Sequence, residues 1–175
     1  MKIFKPKEGR DPVRALTRAG MIAALYIVLT MIFQPISFGA IQFRIAEALT
    51  LLPILTFDAV PGLFVGCVIA NLLGGGVWFD VVLGSLATLL AAVCTRLLRK
   101  KRIVAALMPT IFNGLIVGPV VYFAYVRAPG DPVSVGTLLF NMATVAFGEL
   151  VVCYALGMPF LYALEKLPKK TFGNK

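Results

Sequence analysis

The chain has 175 residues, 59% of them hydrophobic and only 14% charged, with a mean hydropathy of +0.91 and a net charge of +9. About a quarter of the residues of a soluble domain are charged, so this composition describes an all-α integral membrane protein, a single transmembrane domain over 1–175. With no histidine and three scattered cysteines, a His-based catalytic triad and a transition-metal site are both excluded.

A hydrocarbon core about 30 Å thick takes about 20 helical residues to cross. Apolar runs at 15–36, 45–58, 60–74, 79–98, 103–126 and 136–164 predict six spans, two of them short. The first follows a polar, basic start, and its length without a small-residue cleavage site predicts a retained helix, not a signal peptide. It carries Ala15, Ala19 and Ala23 at intervals of four, with Gly20 and Ala24 alongside. Methyl-sized side chains let a second helix approach closely, either within this chain or from a partner.

The second and third runs are broken by Pro53, Asp58 and Pro61, which predicts a tilted or interrupted pair covered by neighbouring protein. Asp58, at the turn between them, is expected to cap or close that turn. "NLLGGGVW" lacks the Lys-Ser/Thr of a phosphate-binding loop, so the chain alone is not expected to hydrolyse nucleotide, and its glycines predict a tight turn. On the sixth run Thr137, Asn141, Thr144 and Gly148 recur at helical spacing and predict a protein-facing stripe, with Glu149 about 100° round from Gly148.

Lysine and arginine cluster at the start (Lys2, Lys5, Lys7, Arg10, Arg14, Arg18), at 96–102, and in the tail (Lys166, Lys169, Lys170, Lys175), with only Arg44 and Arg127 elsewhere. The positive-inside bias then puts both termini in the cytoplasm and the connections at 37–44, 74–79 and 127–135 outside. The basic charge reads as a topology signal with a role at lipid headgroups; nucleic acid is not an expected partner.

Ionisable groups at membrane depth cost at least about 2.5 kcal/mol each and usually face a protein interior or a watery cavity. By depth, Glu47, Asn71 and Asp80 fall at the outer ends of their spans, and Asn113, Asn141 and Glu149 deeper. Arg44 precedes Glu47 by three positions, close enough on a helix for the two to neutralise each other. No enzyme is expected, because no nucleophile and base can be assembled.

The stretches "FRIAEALT", "PGLFVGC" and "ANLLGG" in that order, followed by "DVVLGSLATLLAA", resemble the QueT family, substrate-binding S components of energy-coupling factor transporters associated with uptake of queuosine precursors. The resemblance covers most of the chain. It implies a six-helix bundle in a bacterial plasma membrane that captures a small molecule from outside. The bundle would dock through its first helix onto a membrane coupling subunit driven by two ATPases, with no cofactor in this chain and ATP used by the partners. Ala15, Ala19 and Ala23 match the docking stripe, and Arg44 and Glu47 the FR-x-x-E element.

The implied ligand is a deazaguanine, whose guanine-like edge suits a carboxylate paired with an amide. Glu47 or Glu149 would take its donor edge and Asn71, Asn113 or Asn141 its carbonyl or ring nitrogens. Asp80 or a second carboxylate would balance a protonated aminomethyl group, and Trp78, Phe79 and Tyr122 are candidates to stack on the ring. An S component for another vitamin or heterocycle, or a solitary proton-coupled transporter working through Glu149, is the alternative.

Overall fold

A computed structural model describes residues 11–37 and 43–167. The basic residues at 2–10 and 169–175, and much of the connection at 37–44 with Gln42, lie outside the described residues.

Among the described residues six helices follow one another: α1 (Pro12–Ile32), α2 (Ile45–Ile54), α3 (Ala59–Leu73), α4 (Asp80–Leu97), α5 (Arg102–Val126) and α6 (Val135–Glu165), with one extra turn at Gln34–Ser37. There is no strand among the described residues. Four helices, α1, α4, α5 and α6, are long and apolar enough to cross a membrane. At about 1.5 Å per residue the 15-residue α3 rises about 22 Å, short of a hydrocarbon core. The 10-residue α2 is wound as a 3₁₀-helix and rises about 20 Å. Nine of its ten side chains are buried, so its backbone is covered by protein, as an interrupted segment at membrane depth requires.

Local sequence explains the ends. Asp11 caps α1 by accepting from the Val13 amide, ahead of Pro12 in the first turn, and Ser134 caps α6 by accepting from the Thr137 amide. At the turn between α2 and α3, Asp58 accepts from Arg18 Nε at 2.7 Å, which ties that turn to the start of α1. Arg96 Nη1 donates to the carbonyls of Pro53 (2.9 Å) and Ile54 (3.2 Å), serving the end of α2, and Arg102 pairs with Glu165 at 2.9 Å. These contacts gather the start of α1, the end of α4, the start of α5 and the end of α6 at one basic end of the bundle.

α1 packs on α3 through small residues. A Cβ on Gly62 would lie 2.6 Å from the Ala19 carbonyl oxygen, and one on Gly66 would lie 3.0 Å from that of Ala23, so both glycines permit an approach that alanine would not. The outward side of the helix carries Leu16, Gly20 and Ala24.

The apolar interior is divided. One cluster (Leu49, Leu63 and Ala92 among others) fastens α2 to α3 and α4, a second (Leu51, Ala105, Leu161) joins α2 to α5 and α6, and a third (Ala87, Val117, Val145) joins α4 to α5 and α6. Wide π-helical turns interrupt the long helices at Asp80–Gly84, Asn113–Val117, Tyr122–Val126 and Val152–Gly157. Two of them begin at the polar residues Asp80 and Asn113, and such turns are frequent at functional sites.

Candidate functional site

Arg44, Glu47, Asn71, Asp80, Asn113 and Glu149 are all buried, Glu47 and Asp80 completely. They come from five segments yet form one connected polar cluster. Arg44, just ahead of α2, lies with Nη2 3.5 Å from Asp80 Oδ1 at the start of α4. Asn71, in the last turn of α3, donates to the Asp80 backbone carbonyl at 3.2 Å and lies 3.5 Å from Cys67 Sγ one turn back. Gly84 makes the convergence possible: a Cβ there would sit 3.2 Å from both Asn71 Nδ2 and Asp80 Oδ1.

Glu47 sits at the centre. Its Oε1 accepts from the Tyr26 hydroxyl of α1. The Thr88 hydroxyl of α4 stands 3.4 Å from the same oxygen and 3.1 Å from the Gly84 carbonyl, and with one proton to give it serves one acceptor at a time. Thr50 donates to the Glu47 backbone carbonyl at 2.5 Å, near Cys153 of α6. On the far side, Asn113 Nδ2 of α5 donates to Glu149 Oε1 of α6 at 2.8 Å, and the Asn113 amide also stands beside the Glu47 carboxylate. Three acidic residues against one arginine leave the cluster richer in carboxylate than in cation.

The end of the bundle opposite the basic one closes over this cluster. The Tyr125 hydroxyl, near the end of α5, donates to Asp80 Oδ2 at 3.2 Å and accepts from the Val77 amide at 3.3 Å. Gly75, with φ +74°, turns the chain back between α3 and α4, and its left-handed backbone fulfils the tight turn expected of "NLLGGGVW".

Four residues expected from sequence, Asn141, Tyr122, Trp78 and Phe79, lie apart. Asn141 is buried but donates to the Thr137 carbonyl of its own helix at 2.8 Å. Tyr122 accepts from the Ser134 amide at 2.8 Å and so pins the connection between α5 and α6. Trp78 is 65% exposed, stacks on Phe79 with ring centroids 3.6 Å apart, and lines an apolar groove of about 520 Å³ with Leu83, Pro119 and Phe123, outside the polar cluster. Of the alanine stripe, Ala15 and Ala19 are half-buried and Ala23 is buried, with Ala19 and Ala23 facing α3.

Tyr26, Thr88, Cys67 and Tyr125 belong to the cluster or its cover and are missing from the sequence reading. The only signal was weak: a tyrosine in the middle of α1, where an apolar span offers its hydroxyl no partner of its own.

A family model described as QueT transporter matches residues 16–166. The chain belongs to the QueT transporter family. Over 71 residues it is 39% identical to the queuosine precursor transporter QueT of Lactococcus lactis subsp. cremoris, an alignment covering 39% of this chain and 41% of that protein. The matched stretch thus spans about two-fifths of that relative's length. No solved structure matches. For this member of the QueT transporter family, the buried cluster is the part of the bundle with the chemistry to hold a polar molecule.

Proposed function

We propose that the chain is the substrate-binding subunit of an energy-coupling factor importer in the plasma membrane, capturing a queuosine precursor of the deazaguanine class from outside. The carrying observation is the cluster of Arg44, Glu47, Asp80, Asn113 and Glu149, buried in an apolar bundle near the end away from the basic residues. Charged and amide side chains at that depth are costly without a function, and binding a small polar molecule is one. With both termini and the basic end in the cytoplasm, the cluster lies toward the outside, under Tyr125 and the Gly75 turn.

The chain carries no phosphate-binding loop of its own, so energy comes from ATPase partners through a coupling subunit that docks on α1. Ala15 and Ala19 border the face available to it, and Gly20, with no atom within 4 Å of a Cβ built there, and Ala24 complete it.

The test is binding of deazaguanines to the purified chain in nanodiscs, followed by uptake in proteoliposomes with and without the coupling subunit and ATPases. Tight binding by the chain alone, with uptake only in the assembled, ATP-supplied complex, is the expected result. Uptake by the chain alone down a proton gradient would instead establish a solitary transporter, and absence of deazaguanine binding would reject the ligand class.

A further inference from the structure

Arg127 is the cation that the charge pattern of the bundle leaves over. The other outlying arginine, Arg44, is buried against Asp80, and the remaining described lysines and arginines gather at the opposite end. Arg127 donates from Nε, at 2.8 Å, and from Nη2 to the backbone carbonyl of Asp131, a neutral acceptor, and it takes part in none of the described ion pairs. Its guanidinium stands 6.0 Å from the centre of the Phe123 ring, one turn back on α5. Phe123 is also a wall of the apolar groove of about 520 Å³ between the start of α4 and the second half of α5. Along α5 the lining runs from Ile116 to Ala124, about 12 Å of helix, and Arg127 follows at its end.

Every side chain lining the groove is apolar, and Trp78, Phe79 and Phe123 are each about half exposed or more. Both helices that form it are long and apolar enough to cross a membrane. The Val77 amide at its rim is already given to the Tyr125 hydroxyl. A polar heterocycle seated there would leave its own N–H and carbonyl groups unpaired, whereas a hydrocarbon chain leaves nothing unpaired.

We propose that the groove and Arg127 together seat one anionic phospholipid, with an acyl chain between α4 and α5 and the phosphate at the guanidinium. The two halves act differently. Hydrocarbon packs as well against other lipid tails as against this groove, so the groove sets where a chain lies without choosing which lipid supplies it. The choice comes from charge: one basic residue at the membrane surface gives about a fivefold preference for an anionic headgroup. Arginine adds a planar fork of donors that matches phosphate oxygens. Seated there, the lipid joins the approach to α4 to the end of α5, beside the Tyr125 bond that spans the same two elements. The seat is independent of which small molecule the polar cluster holds.

Trp78 is the single tryptophan of the chain and lines the groove, so its fluorescence reads the occupant. The test places the purified chain in nanodiscs of phosphatidylglycerol and phosphatidylcholine at equal fractions, with bromine on the acyl chains of one lipid or the other to quench the tryptophan on contact. Enrichment of phosphatidylglycerol at Trp78 by about fivefold or more is expected. Arg127→Gln should abolish it, and Lys100→Gln, which removes the same charge from the opposite end, should keep it. Equal quenching by the two lipids in the wild-type chain overturns the proposal. A loss in Lys100→Gln as large as in Arg127→Gln also overturns it, by assigning the preference to overall charge. Ala124→Phe puts a ring into the groove and should lower the enrichment; full enrichment in that variant would show a headgroup held without the groove and overturn the seat.

Discussion

Tyr125 reaches from the C-terminal end of α5 to Asp80, its hydroxyl bridging that buried carboxylate and the Val77 amide of the turn before α4. Asp80 in turn faces Arg44, so one side chain at the rim connects a surface turn to an interior ion pair. Tyr125 is itself 48% exposed, so its hydroxyl bond lies at the surface of the bundle.

Tyr125→Phe should therefore speed both association and dissociation of ligand while changing the equilibrium affinity by less than about fivefold, because one exposed hydrogen bond is worth about 1 kcal/mol. Stopped-flow mixing reads this directly; unchanged rates with a lowered melting temperature would assign Tyr125 to stability alone.

Arg44→Gln should be strongly destabilising, by about 3–5 kcal/mol, since it leaves the Asp80 carboxylate buried beside a neutral side chain. The double variant with Asp80→Asn should recover much of that loss. Thermal unfolding in detergent of the two single variants and the double completes the cycle, and strict additivity would show that the two residues do not act as a pair.

Tyr26→Phe removes a donor to Glu47 Oε1 from the opposite side of the bundle. A cost of about 1–3 kcal/mol in stability is expected, from a buried carboxylate oxygen losing its partner, together with weaker ligand binding. Full affinity in a destabilised Tyr26→Phe protein would show that the tyrosine supports the fold without shaping the site.

The two sides of α1 should respond differently. Ala19→Leu pushes against α3 at Gly62 and should lower thermal stability, overpacking typically costing about 1–3 kcal/mol. Gly20→Leu projects into open space and should spare stability and ligand binding while blocking assembly with the coupling subunit. Normal co-purification of the Gly20→Leu chain with its partners would remove α1 as the docking helix.

The six helices were legible because hydropathy and breakers act locally: each expected span meets its helix within a few residues, and Asp58 does close the turn where Pro53 and Pro61 interrupt the apolar run. The polar residues that cannot face lipid were legible for the same reason, and six of them do meet. The remainder depended on hydrogen-bond geometry that no single residue announces. Asn141 finds an acceptor on its own helix, Tyr122 and Trp78 go to the rim, and Thr88 and Cys67 are at home in any apolar run. The alanine spacing marked a close helix contact, and the resemblance assigned Ala15, Ala19 and Ala23 to a partner subunit; glycines on α3 instead take Ala19 and Ala23 into the packing of this chain.

The wide turns at Asp80–Gly84 and Asn113–Val117 give α4 and α5 a change of address partway along their length. In a regular helix each added residue swings the following side chains by about 100°, whereas a π-turn takes in one extra residue and hands the helix on in a new rotational phase. Below its wide turn α5 turns Ala105 and Ala106 toward α2 and α6, and beyond it Val117 and Val121 toward α4 and α6, with Asn113 at the seam. Deleting a single residue near that seam would leave composition and hydropathy almost untouched, yet would put the two halves of the helix out of phase and carry Asn113 away from Glu149.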